Sequence, residues 1–140
     1  MAPTVFKTSY DSAYPSLARS QELHPLEGDQ KGVLVIKRIS LIRRKPEMTP
    51  EEFWEHYTGP HGAIARKMPG VRKMVLSRVV GPQSIQWDAV GELWFDDTSA
   101  VEKAFADPEI AGLLAQDRPL FLEHSEVLIA EETVFWSADT

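Results

Sequence analysis

The sequence predicts an α+β domain with element order β-α-β-β-α-β: a four-stranded antiparallel sheet carrying two helices on one face. Two observations predict it. Four segments of strand length, 33–42, 71–80, 87–95 and 126–135, are rich in β-branched and aromatic residues. Helical spacing and helix-start signals occupy the first and last intervals between them, whereas the middle interval is only a turn and a loop. A length of 140 residues suits one domain of this kind, at roughly 150 residues per domain.

In chain order, residues 1–31 are rich in Ser, Pro and acids and hold no period for long, so they read as an arm, either a loose tail or a clasp on a second copy. The domain proper is expected over 32–140. Val33 to Ile42 is apolar on both alternating faces, the pattern of a central strand covered on both sides, and Arg43 to Pro46 end it. Thr49-Pro50-Glu51-Glu52 supplies a capping box with proline at the first helical position. Phe53, Tyr57, Ile64 and Met68 then form one stripe, which Gly59-Pro60 should kink or break for a turn near 56–62. Pro69-Gly70 stops this helix. Val71 to Val80 and Trp87 to Phe95 read as strands that pair antiparallel, the latter with Asp88, Val90, Glu92 and Trp94 on one face. Helical composition covers Ser99–Ala106 and, restarted by Asp107-Pro108, extends to about Gln116; 117–124 reads as a connector and Glu126 to Phe135 as the last strand. This is the ferredoxin-like split βαβ arrangement. Because helices cover only one sheet face and the first strand is apolar on both, burial of the free face in an isologous homodimer is expected.

Composition narrows the function. Fifteen Lys plus Arg against 21 Asp plus Glu give a net charge of −6, which repels phosphate backbones and anionic membranes, so neither nucleic acid nor membrane is an expected partner. No run of about 18 apolar residues and no secretory h-region is visible, which fits a cytoplasmic protein. The absence of cysteine removes disulfides, thiolate nucleophiles and Cys-based metal sites. No dinucleotide fingerprint, Walker loop, nucleophile elbow or H-E-x-x-H occurs, and no cofactor or metal is expected. His56 and His61 are five apart, about 140° round a regular helix, and share a face only if the Gly59-Pro60 break turns them together.

His61 stands out because it continues the buried stripe at the break, and imidazole exchanges a proton near pH 7 without a large pKa shift. It reads either as a general base or as a structural histidine bonded to a freed carbonyl. Asp88 and Glu92 share a strand face; they orient His61 or act as acids if that face meets the helices, and pair with Arg38, Arg72 or Arg78 if it does not. Trp54, Tyr57, Trp87, Trp94, Phe95, Phe105 and Phe121 serve as core or as walls of a pocket for a flat ring-bearing substrate, with the Tyr57 hydroxyl as a handle. Lys37 and Arg38 fall on opposite faces of the first strand; the one facing the helices can meet an anionic substrate, and either can instead form a salt bridge at the sheet edge or in a dimer.

The run RRKPEMTPEEFWEHYTGPHGAIARKMPGVRKMVLSRVV, with WDAVGELWFDDTSAVEKAFADPEIAGLL and EVLIAEETVF, resembles the EthD-type proteins of the dimeric α+β barrel superfamily. The matching features are the basic-Pro entry to the helix, His61, Met68-Pro69-Gly70 and the Asp-x-x-x-Glu-x-Trp-Phe strand. DAVGELWF and MPGV also resemble the cofactor-free methylmuconolactone methylisomerases. Those relatives carry a cysteine where Leu93 stands and a tyrosine near Met74, which argues against that particular chemistry. The resemblance implies a cleft between sheet and helices in each subunit, with His61 inside it.

Together these readings lead to an expected cofactor-independent lyase, isomerase or cyclase acting on a cyclic oxygenated or polyketide-like small molecule. His61 would move the proton, Tyr57, Asp88 or Glu92 would assist, and Trp54, Trp87, Trp94, Phe95, Phe121 and Arg38 would contact the substrate. The alternatives are a non-catalytic carrier of a hydrophobic small molecule and an oxygen-using or haem-linked oxidoreductase.

Overall fold

A computed structural model of the chain describes residues 35–82 and 86–139. The expected arm over 1–31, its clasping role, and Val33 and Leu34 of the first strand lie outside the described residues. Strands β1 (Val35–Arg44), β2 (Lys73–Arg78), β3 (Ala89–Phe95) and β4 (Leu122–Glu132) form one antiparallel sheet in the order β2-β3-β1-β4. This is the ferredoxin-like βαββαβ fold.

Strand boundaries differ from the sequence reading, each for a pairing reason; β3, for example, begins at Ala89 rather than Trp87, where its pairing with Ile42 and Arg78 starts. β1 runs on through Arg43 and Arg44 because β4 begins early, at Leu122, and pairs with both. β2 is shorter than 71–80, although single bonds from the Arg72 N–H to the Trp94 carbonyl (2.7 Å) and from the Val79 N–H to the Asp88 carbonyl (3.0 Å) flank it. β4 stops at Glu132, whose partner is Val35 at the start of β1, and Val134, Phe135 and Trp136 beyond it are exposed.

The first helical stretch comprises α1 (Pro50–His56), a π-helical turn (Tyr57–His61) and α2 (Gly62–Arg66). Thr49 and Glu52 form the capping box, each side chain accepting from the other's backbone N–H (3.1 and 2.9 Å). The expected break is therefore present, as a widened turn. α3 (Thr98–Ala106) and α4 (Pro108–Phe121) are capped by Asp97 and Asp107, which accept from the N–H groups of Ala100 and Ile110. The expected connector over 117–124 is overturned: α4 continues through Pro119 to Phe121, and β4 follows at once. Proline is tolerated here in the last turn because Lys45 secures the helix end, its N–H donating to the Phe121 carbonyl and its Nζ to that of Pro119.

The described helices lie on the sheet face that carries Ile36, Arg38, Ser40 and Ile42 of β1 and the buried Ala89, Gly91, Leu93 and Phe95 of β3. The core on this face has two parts. One gathers Ile36, Leu93, Phe95, Val101, Ala104, Ile110 and Leu114; the other gathers Ile42, Phe53, Tyr57, Ala89 and Phe121. Along β1 the polar Arg38 and Ser40 fall between the anchors of the two parts, Ile36 and Ile42, and there the packing opens. Among the described residues no helix is long and apolar enough to cross a membrane.

Candidate active site

The opening is a cavity of about 50 Å³ bordered by Arg38, Ser40, Tyr57, His61, Met74, Leu76, Gly91, Leu93, Phe105, Arg118, Phe121 and Ser125. At roughly 10–15 Å³ per water-sized centre, it holds three or four waters, or the head group of a ligand.

The π-helical turn aims the imidazoles. Pro60 lacks an N–H and its ring crowds the carbonyl four residues back, so a regular helix is unfavourable. The chain widens instead, with the Gly62 N–H donating to the Tyr57 carbonyl five residues back and the Thr58 hydroxyl to the Trp54 carbonyl at 2.7 Å. In a π-turn, residues five apart stand about one turn above each other. His56 and His61, on different faces of an α-helix, thus come to the same side. The apolar stripe slips by one residue in consequence: Ala65 is buried where Ile64 was expected to be, and Ile64 is half-buried.

Both imidazoles converge on Asp117, whose side chain is 7% exposed. His56 Nε2 lies 2.7 Å from one carboxylate oxygen and His61 Nδ1 lies 2.9 Å from the other. A carboxylate accepts from both, so each histidine carries its proton on the nitrogen facing Asp117. The lone pair of His61 then resides on Nε2. Rings fix the orientation: His61 stacks on Tyr57 at 5.3 Å and leans on Phe121 at 4.9 Å, and His56 stacks on the same phenylalanine at 5.0 Å. Burial lowers the His61 pKa from the ordinary 6.5 and outweighs the opposing pull of Asp117; Arg118 and His56 add to the lowering. The ring is neutral at pH 7 and can accept a proton.

Tyr57 is buried against Gly91, where a Cβ would overlap its hydroxyl. Burial pushes its phenol pKa well up, with Arg38 opposing, so the hydroxyl remains a donor. Arg38 Nη1 donates to Ser40 Oγ (2.9 Å), and the guanidinium lies 4.0 Å over the Phe105 ring. Burial and the nearby positive charge of Arg118 bring the Arg38 pKa down to about 10. Arg118 is solvent-exposed, at the rim of the same cavity.

Of the residues expected at the site, the structure brings together His61, Tyr57, Phe121 and Arg38. It does not bring the two strand carboxylates to His61. Asp88 binds the Arg44 backbone N–H (2.9 Å) and lies 3.4 Å from the Arg44 Nε. Glu92 pairs with Lys37 Nζ at 2.8 Å on the sheet face away from the helices, because strand alternation turns it opposite to Gly91 and Leu93. Trp94 occupies that outer face between Lys37 and Lys73. Phe95 is core, Trp87 stacks on His124, and Trp54 packs beside Tyr57 with Arg78 near its ring. Asp117, His56 and Arg118 are the additions. Asp117 could have been found from the spacing of Ile110, Leu114, Asp117 and Phe121, a single helical stripe with one acid inside it.

The EthD domain model matches residues 45–125. The structure is similar to that of an ethyl tert-butyl ether D (EthD) family protein from Bacillus halodurans C-125, with TM-score 0.61 and 28% identity, covering 71% of this chain and 100% of that one. A dimeric protein of ferredoxin-like fold from Bacteroides fragilis gives TM-score 0.55 at 18% identity, covering 69% of this chain and 95% of that one. The hydroxynitrile lyase of Passiflora edulis gives 0.61 at 14%, covering 75% and 99%. At such identities the last two show the fold alone. No curated protein matches the sequence.

Proposed function

The chain belongs to the EthD domain family, and on that premise we propose that it is a cofactor-independent enzyme, of lyase, isomerase or cyclase type, acting on a cyclic oxygenated or polyketide-like small molecule. The observation that carries this reading is the buried Asp117 holding His61 Nδ1–H while the same ring borders the cavity. His61 Nε2 abstracts a proton from carbon next to a carbonyl. The negative charge that develops on the carbonyl oxygen meets the Tyr57 hydroxyl and the Arg38 guanidinium within the cavity. The resulting imidazolium is stabilised by Asp117 and returns the proton to the product or to the leaving group. Phe121, Phe105, Met74 and Leu76 supply the apolar walls. The working unit is a homodimer joined through the sheet face that the described helices leave uncovered.

Deuterium exchange tests the proton transfer without knowledge of the natural substrate. Cyclic ketones such as α-tetralone, incubated with the protein in D2O and followed by proton NMR, are expected to lose their α-hydrogens faster than in buffer. His61→Ala is expected to lower the enzymic rate by about 10²–10⁴. Exchange that persists undiminished in His61→Ala overturns the mechanism. Ligand binding with no exchange, equal in the variant, is the behaviour of a non-catalytic carrier.

A further inference from the structure

The geometry points to a carboxylate-binding subsite formed by Arg38 and Arg118, so that the substrate of this cleft carries a carboxylate beside its carbonyl ring. The inference rests on the proposed function for the location of the reacting carbon, but the anion site itself stands on separate observations.

Arg38 projects from a central strand onto the helix-covered face, where its neighbours along β1 are Ile36 and Ser40, with Ile42 beyond. Its partners are a neutral hydroxyl, Ser40 Oγ, and the face of Phe105. Among the described residues no carboxylate lies within ion-pair distance of Arg38 or of Arg118. Every other half-buried Lys or Arg that points from β1, namely Lys37, Arg43 and Arg44, has an acid against it. Of the acids at or beside the cavity, Glu92 borders it but is paired with Lys37 Nζ at 2.8 Å, and Asp117 has both oxygens engaged by histidines. Taking a guanidinium out of water without a counter-ion is unfavourable, and a second positive charge close by makes it more so. The depressed pKa of Arg38 reflects both effects.

A chain with net charge −6 that leaves two cations unneutralised at one cavity has there a ready receptor for an anion. A carboxylate fits better than a larger anion. The enclosed space is about 50 Å³, and the planar fork of Arg38 suits a planar two-oxygen acceptor. With the carboxylate between the deep Arg38 and the rim Arg118, the ring of the ligand would lie along Phe105 and Phe121 toward His61.

Calorimetric titration of the full chain near pH 8 with benzoate, and with its neutral isostere benzamide, tests the subsite. Benzoate is expected to bind at least about tenfold more tightly, the ratio corresponding to one charge-assisted hydrogen bond. Arg38→Met should erase that preference, Arg118→Gln should reduce it severalfold, and Arg38→Lys should retain it at lower affinity. Lys73→Gln, on the opposite face of the sheet, should leave benzoate affinity unchanged within about twofold. Because Arg38→Met keeps the stem and deletes an uncompensated charge, it should also raise the melting temperature of the unliganded protein; a residue present for stability would lower it. Failure of benzoate to bind, equal binding of benzoate and benzamide, or a preference that survives Arg38→Met overturns the subsite. Those results leave the His61-dependent exchange standing, whereas loss of exchange with benzoate binding intact would remove the proposed function and leave the subsite.

Discussion

At the scale of single residues, the pH dependence of activity follows from what surrounds His61. Its pKa is lowered below 6.5 chiefly by burial, and the base form is the deprotonated one. kcat/KM for ketone exchange should therefore rise with pH through an apparent pKa below 6.5 and be level above it. Asp117→Asn removes the group that pulls the pKa up, so the acid limb should move to still lower pH. The rate should nevertheless fall by about 10²–10⁴, because an amide no longer fixes the Nδ1–H tautomer or stabilises the imidazolium. A pH–rate profile of both proteins checks the two effects together. Gly91 gives a second prediction: Gly91→Ala places a methyl group where the Tyr57 hydroxyl sits, and should destabilise the fold by about 1–3 kcal/mol, read from chemical denaturation. His61 was legible in the sequence because it continues a stripe whose interruption is visible. Asp117 falls on the stripe of Ile110, Leu114 and Phe121, but helical composition alone ends near Gln116, one residue short of it, and only the docking of Lys45 on the helix end shows why the helix runs on.

At the scale of elements, the π-turn acts as a one-residue insertion into a helix. Past it, the residues that face inward are His61, Ala65 and Met68, which continue Phe53 and Tyr57. Deleting Gly59, together with Pro60→Ala to remove the clash a regular helix would bring, converts the spacings of these positions to alternating fours and threes, the pattern of one face of a regular α-helix. His56 and His61 become four apart and again share a face. The shortened chain is therefore expected to fold, to melt within about 4–8 °C of the parent, the shift equivalent to roughly 1 kcal/mol in a small domain, and to keep both imidazoles on Asp117. Circular dichroism and the downfield imidazole N–H signals in proton NMR measure this. Loss of the fold, or of both signals, would show that the widened turn is needed for more than alignment. The place of this break was readable from Gly59-Pro60. Its form was not, because widening by one residue and kinking relieve the same clash at Pro60, and the choice depends on Asp117, an acid 56 positions beyond His61.

At the scale of the whole molecule, the strand order followed from the order of the elements alone, whereas the direction of each strand side chain depended on register. The pairing of Ile36 with Phe95 and of Ile39 with Glu92 decides that Arg38 enters the cleft and that Glu92 leaves it. The same register fills the outer face with Ile39, Leu41, Val75, Val90 and Leu128, over which none of the described helices lies. Leu128, opposite Ile39 on the edge strand β4, is 53% exposed. In a homodimer closed through this face, an arginine at 128 would bring a charge into the apolar contact, a cost of about 3 kcal/mol and so on the order of a hundredfold in dissociation constant. Sedimentation should find the parent protein at twice the chain mass of 15.8 kDa and Leu128→Arg at the chain mass at low micromolar concentration. A parent protein that sediments as a monomer would refute the dimer. Because Arg38, Tyr57, His61, Asp117 and Arg118 all come from one chain and lie on the opposite face of the sheet, the monomeric variant should retain His61-dependent exchange. If dissociation abolished exchange instead, the cleft would have to be completed by the second copy.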